Sequence, residues 1–262
     1  MKLSISNIGW PAELDLQVYG LMRKHGFTGL EIAPTRIFPE DPYGRIRDAA
    51  AWSESLKRDW GFSVPSMQSI WYGRQEYLFG SDEERQTLAD YTFRAVDFAA
   101  AVGCGNLVFG CPRNRAVPEN GRPETAVEFF RTVGDYAASK GTAIGMEANP
   151  PIYNTNYIND TASALALIGT VGSDGFRLNL DLGAMIENGE DLSVLRGRED
   201  LISHVHISEP GLKTIRRREL HGELAMFLKS AGYDQYVSIE VGKQTDPAVL
   251  GEMMEYVRDV MR

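Results

Sequence analysis

The sequence predicts a single (β/α)8 TIM barrel spanning residues 1–262, and three observations carry that expectation. Short apolar runs alternate with amphipathic stretches eight times, the pattern of repeated βα units around a parallel sheet. Glycines close several of the amphipathic stretches, at HGF 25–27, WGF 60–62, KGT 140–142 and AGY 231–233, as helix ends require before the next strand. The length of 262 residues, 43% apolar, suits one sizeable core of this architecture better than two independent domains.

Taken in order, the strands are expected at 3–7 (LSISN), 28–32 (TGLEI), 62–67 (FSVPSM), 106–110 (NLVFG), 143–147 (AIGME), 176–181 (FRLNLD), 202–207 (ISHVHI) and 236–240 (YVSIE). Between them the helical period recurs. From Glu83 to Val102, for example, Leu88, Tyr91, Ala95, Phe98 and Ala99 stand three and four residues apart and form one apolar face. In such a barrel the chemistry sits at the C-terminal ends of the strands, on the βα loops. The segments 33–47, 69–81, 111–123 and 148–161 are long and rich in Pro, Gly, Asn and aromatic residues, so they are expected to wall or cover the mouth.

Four side chains at these strand ends define the expected site: Glu147, Asp181, His206 and Glu240, separated by 34, 25 and 34 residues. These are lengths of about one strand–helix repeat, which bring all four to one end of successive parallel strands. Two Glu, one Asp and one His around one point form a ligand set for one hard or borderline divalent cation. Such an ion polarises a carbonyl and stabilises an enediolate. Glu147 and Glu240, from the fifth and eighth strands, would flank the reacting carbon as an acid/base pair, the requirement of an epimerase.

The composition narrows the partners. A formal net charge of −9 and a pI near 5.1 repel phosphate backbones and anionic membranes, so neither nucleic acid nor membrane is expected. Arg216, Arg217 and Arg218 beside Lys213 are the strongest basic spot and read as a solvated helix start. Cys104 and Cys111 flank a strand-like run and are expected reduced. With no basic leader followed by an apolar segment and no run of 18 apolar residues, a cytoplasmic protein is expected. A homo-oligomer stays open.

The motifs GMEANP around Glu147, NLDLG around Asp181, HVHISEP around His206 and GYDQYVSIEV ending in Glu240 make the chain resemble the xylose-isomerase-like TIM-barrel superfamily. The likeness is to its sugar phosphate isomerase/epimerase branch, which includes ketose 3-epimerases, hydroxypyruvate isomerases and inosose dehydratases, and it covers essentially the whole chain. It implies a divalent ion, commonly Mn, Mg or Co with Zn also compatible, held by Glu147, Asp181, His206 and Glu240, with the two glutamates as the acid/base pair. Two features depart from the pattern. Many relatives read Asp-x-Gly-His after the sixth strand, where this chain has Asp181, Leu182, Gly183 and Ala184. The ketose 3-epimerases carry a substrate-binding arginine six residues beyond the metal histidine, where this chain has Leu212 followed by Lys213. Endonuclease IV shares the fold but needs a histidine-rich trinuclear zinc site, and His25, His204, His206 and His221 are all the histidines here.

Further residues are candidates for reading a carbohydrate substrate. Glu31 and Gln68, at the ends of the second and third strands, suit sugar hydroxyls, as do the amides of Asn149, Asn154 and Asn156. Glu209, Lys213 and His221 follow the seventh strand. Trp10, Phe38, Trp71 and Tyr72 would offer apolar walls to a sugar ring. His204 is expected deeper in the barrel as a structural histidine, and His25 as a helix C-cap. The leading expectation is a metal-dependent sugar isomerase or epimerase. Its rivals are a dehydratase of the inosose type, in which the same enolate expels a β-hydroxyl, and a non-catalytic sugar-binding subunit.

Overall fold

Strand and helix alternate around a closed ring in the computed structural model, which describes residues 1–262. The first half comprises β1 (Lys2–Ser6), α1 (Asp15–His25), β2 (Gly29–Glu31), α2 (Pro34–Ile37), α3 (Ile46–Trp60), β3 (Ser66–Met67), α4 (Asp82–Val102) and β4 (Asn106–Phe109). The second comprises α5 (Thr125–Ser139), β5 (Ala143–Met146), α6 (Thr161–Val171), β6 (Phe176–Asp181), α7 (Leu182–Asn188), β7 (Ile202–Ile207), α8 (Glu219–Ser230), β8 (Tyr236–Ile239) and α9 (Pro247–Met261). All pairings are parallel, in the order β2-β1-β8-β7-β6-β5-β4-β3. Isolated bridges Gly29–Ser63 and Ile32–Met67 close the seam between β2 and β3. The chain is therefore a single (β/α)8 TIM barrel.

The third strand departs from expectation. Only Ser66 and Met67 form a ladder, because Pro65 has no N–H to donate and leaves Ser63 with a lone bridge. Helix ends follow local chemistry: α4 starts on a capping box in which Ser81 and Glu84 satisfy each other's backbone N–H, and α1 and α3 end on left-handed Gly26 and Gly61. At α5 and α8 the left-handed glycines, Gly141 and Gly232, lie one residue beyond the cap.

Alternation along each strand sorts side chains into two environments. Ile5, Leu30, Leu107, Phe109, Ile144, Met146, Leu180, Val205 and Ile239 are buried within one continuous apolar core shared by strands and helices. The lumen, by contrast, is polar. Asn106 donates to Ser66 Oγ at 3.1 Å and reaches Asn179 Oδ1 at 3.4 Å, and Gln68 donates to Ser6 Oγ at 2.7 Å. A lumen of buried hydrogen-bonding groups replaces the branched aliphatic layers common in this architecture.

One irregularity sets the phase of β7. Leu178 pairs with Ile202, but Asn179 pairs with His204, so Ser203 is an extra residue opposite a single partner. Its hydroxyl donates to Asn106 Oδ1 at 2.7 Å. This bulge shifts the alternation by one, so that His204 and His206 both point into the lumen.

Candidate metal centre

Each member of the expected ligand set reaches the same point from a strand end. Glu147 follows β5 with its N–H on Phe109 O (3.2 Å), Asp181 ends β6, His206 lies in β7, and Glu240 follows β8 with its N–H on Ile207 O (3.0 Å). The hub is His206 Nδ1, which lies 3.1 Å from Glu147 Oε1, 3.2 Å from Glu240 Oε2 and 3.8 Å from Asp181 Oδ2. One donor atom from each of the four falls within 4.8 Å of the others. Gly110 makes room for this: a Cβ there would stand 2.8 Å from Glu147 Oε2.

Three carboxylates this close, two of them buried and Asp181 partly so, repel one another. Burial, then the charges of Glu147 and Glu240, push the Asp181 carboxyl up to about 8. Burial also raises Glu240, against the pull of His206. Burial disfavours the His206 imidazolium, yet Glu31 and Glu240 outweigh it and hold its pKa well above the ordinary value. Such excess negative charge is what a divalent cation neutralises, and oxygen donors with one imidazole suit Mg, Mn, Co or Zn. The residues present fit such an ion.

Glu31 is not at the mouth. It lies beneath the cluster with no exposure, its Oε2 2.9 Å from His206 Nε2 and 3.0 Å from His204 Nε2. Burial would raise its carboxyl, but the charge of His206 and hydrogen bonds from both histidines keep it well below the usual range. The arrangement is carboxylate, imidazole, ligand position: Glu31 accepts from Nε2 and turns Nδ1 towards the acids, where it can give its lone pair to an ion once its proton is displaced. Glu31 has no exposed surface and does not line the cavity above the acids, its carboxylate being taken up by the two histidines and Gln68. His204 is buried beside it, as expected.

A cavity of about 170 Å³ opens above the acids, lined by Gln68, Cys111, Asn149, Tyr153 and Leu212 together with Glu147, Asp181 and Glu240. Gln68 donates to Glu31 Oε1 at 3.0 Å, and Asn149 donates to Glu147 Oε2 at 3.1 Å. The other expected substrate residues are not brought here. Glu209 is buried and gripped by Arg218 Nε at 2.8 Å, because the chain turns back on itself at Gly211 and the basic run packs over it. His221 bonds Tyr256 of α9 at 2.8 Å in an apolar helix contact, where burial pulls its pKa down to about 4. Trp71 is core: it donates to Thr92 Oγ1 at 2.9 Å and packs edge-on against Phe109. Lys213 is exposed outside the cavity. Asn156 is bound to the Val117 backbone, and Asn154 caps a tight turn.

Several residues of the site carry no expectation from the motifs. Asn179 donates to Glu147 Oε1 at 2.9 Å; it stands two residues before Asp181, so strand alternation alone places it on the same face. Ser208 donates to Asp181 Oδ2 at 2.6 Å. Arg115 is fully buried with no carboxylate partner. Its Nη1 donates to Glu147 O at 2.9 Å and Nη2 to Ile158 O at 3.2 Å, tying the ends of β4 and β5 to the following loop. Tyr153 accepts from Gly211 N at 2.9 Å, joining the loops after β5 and β7 across the mouth. Neither Arg115 nor Tyr153 has a local sequence signal, since each acts across a loop fold.

A family model for the xylose isomerase-like TIM barrel matches residues 20–260. No curated protein matches the chain by sequence. Among solved structures, it superposes on the 3-keto-D-glucoside 4-epimerase of E. coli with a TM-score of 0.78 and 21% identity, covering 99% of both chains. D-psicose 3-epimerase from Clostridium cellulolyticum H10 gives 0.79 and 18%, covering 100% of this chain and 98% of the other. The IOLI protein bound to a zinc atom gives 0.69 and 18%, covering 100% and 95%. At these identities the likeness is one of fold.

Proposed function

The chain belongs to the xylose isomerase-like TIM-barrel family, and from that premise we propose that it is a divalent-metal-dependent isomerase or epimerase of a sugar or sugar derivative. The observation that carries this reading is the convergence of Glu147, Asp181 and Glu240 on His206 Nδ1 at the floor of a cavity at the C-terminal end of the barrel. Two of the superposing structures are sugar epimerases and a third holds zinc, which supports the same reading.

In this proposal Glu147, Asp181, His206 and Glu240 hold the ion, which when bound supplies Lewis-acid stabilisation of the charge that develops as the carbon beside a carbonyl loses its proton. Glu147 and Glu240 enter the cavity from β5 and β8, with β6 and β7 between them, so one removes a proton and the other returns one. Asn149 and Asn179 each donate to Glu147 and hold its carboxylate in place. Ser208 does the same for Asp181. Arg115 fixes the Glu147 backbone, so the general base sits on a rigid strand end.

Turnover of a suitable keto-sugar in D₂O is expected to place deuterium on the carbon beside the carbonyl. Metal-loaded Glu147→Gln and Glu240→Gln variants should each lose about 10²–10⁴ in rate. Wild-type exchange in the metal-loaded double variant would sink the mechanism. Appearance of a conjugated carbonyl absorbing in the ultraviolet would instead assign a dehydratase.

A further inference from the structure

A second and much larger recess opens on the same end of the barrel. It has a volume of about 1010 Å³ and lies over the loops after β1, β2, β3 and β8, lined by Trp10, Arg36, Tyr72, Arg74, Arg94 and Lys243 among others. The acid cavity, at about 170 Å³, is smaller than ordinary ligand sites of about 300–1,000 Å³, whereas this cleft lies at the top of that range. The two are separated by short stretches of chain. Ser69 lines the cavity and Tyr72 the cleft, and Glu240 and Lys243 are related in the same way. Three residues of chain span at most about 11 Å, so the openings adjoin.

The chemistry of the cleft selects its occupant. Its guanidinium groups are each held by a carboxylate: Arg36 by Asp15 at 2.6 Å, Arg74 by Glu76, and Arg94 by Asp41. Lys243 and Glu13 add one charge of each sign to the same lining. Charge is therefore balanced, and a phosphate or carboxylate finds no net attraction. What the lining presents is guanidinium N–H groups, each oriented by a carboxylate, together with the carboxylates of Glu13 and Asp41, donors and acceptors of the kind vicinal hydroxyls require. It also presents aromatic surface. Arg74 stacks 4.8 Å over the Tyr91 ring, and Tyr72 stands 71% exposed at the lip, set there by the turn in which its N–H bonds Ser69 O at 2.9 Å. Tyr72 thus places an aromatic face in the lining of the cleft, free to meet the apolar face of a sugar ring.

We propose that this cleft is a second sugar subsite, and that the substrate is a glycoside or short oligosaccharide whose reacting unit occupies the acid cavity while a neutral, polyhydroxylated neighbouring unit lies in the cleft. The proposal rests on the reading of the acid cavity as a carbohydrate site. Tyr72 supplies the stacking face, and Arg74, oriented by Glu76, donates to hydroxyls.

Ligand-observed NMR titrations in Mg²⁺ test it, with cellobiose, maltose, sucrose and trehalose against glucose, fructose and glucose 6-phosphate. At least one disaccharide is expected to bind about tenfold more tightly than the monosaccharides. Tyr72→Ala, at an exposed position that tolerates truncation, is expected to remove that advantage, and Arg74→Ala to reduce it. The proposal is overturned if no disaccharide outbinds the monosaccharides, if both variants leave the preference intact, or if glucose 6-phosphate binds most tightly. Deuterium exchange is scored separately. Tyr72-dependent disaccharide binding without exchange supports the subsite and counts against the isomerase, whereas exchange of free keto-sugars without disaccharide preference does the reverse.

Discussion

Glu31 shows at the scale of one residue how a site is tuned from below. Its carboxylate accepts from His206 Nε2 and so keeps the proton there when an ion displaces the one on Nδ1, which faces the acids. Glu31→Gln keeps an oxygen acceptor but loses the charge, and its metal affinity by calorimetry is expected to fall about 10–100-fold, with Glu31→Ala falling further. An affinity unchanged in both would refute this role. The acids make a second prediction. Without metal, Asp181 keeps its proton to about pH 8 and His206 is protonated beyond its ordinary range, so an incoming ion displaces protons. The sign follows: affinity falls on acidification and rises towards pH 8, by about tenfold per pH unit for each proton displaced. Calorimetry in buffers of different ionisation enthalpy should detect that release; a pH-independent affinity between 6 and 8 excludes it.

At the scale of the element, Asp181 serves both β6 and α7. Its Oδ1 accepts from Ala184 N at 2.6 Å and caps the helix, while Oδ2 faces His206. The alanine that replaces the familiar histidine of relatives thus still contributes its backbone to the site. The two duties separate by mutation. Asp181→Asn keeps a capping oxygen, so metal-free melting should stay close to wild type while metal affinity drops. Asp181→Ala should in addition lose about 1 kcal/mol of stability in denaturant titration. Equal stability of the two variants would remove the capping role. The β7 bulge belongs to this scale as well. Alternation read along ISHVHI places His204 and His206 on one face, but which face is decided by Ser203, whose extra residue is visible only in the pairing with β6.

For the whole molecule, the proposed ion ties four strands together and binds only the folded barrel. At 100 times its Kd it should therefore add about 2.7 kcal/mol, a rise of about 5–10 °C in Tm for a domain of this size. Differential scanning fluorimetry with Mn²⁺, Mg²⁺, Co²⁺ and Zn²⁺ checks this, and Asp181→Ala should abolish the shift. A melting curve unmoved by millimolar amounts of any of them would argue against an ordered metal site. The same view of the molecule separates what surrounds the site: no helix is long and apolar enough to cross a membrane, and Cys104 and Cys111 are both free.

Repetition along the chain determined the barrel and the meeting of Glu147, Asp181, His206 and Glu240. Strand length and alternation are local properties, and a parallel ring carries every strand end to one face. Asn179 was within reach of the same logic. The depth and direction of the remaining side chains were decided by tertiary structure. Glu31 is taken up by the imidazole of His206, 175 residues away, and Trp71, Glu209 and His221 meet partners from α4, the basic run after β7 and α9 that lie 21, 9 and 35 residues away. A loop residue points where its loop packs, and that packing is a contest among long-range contacts that no local period encodes. Arg115 and the large cleft arise in the same way, from loops that become neighbours only once the ring has closed.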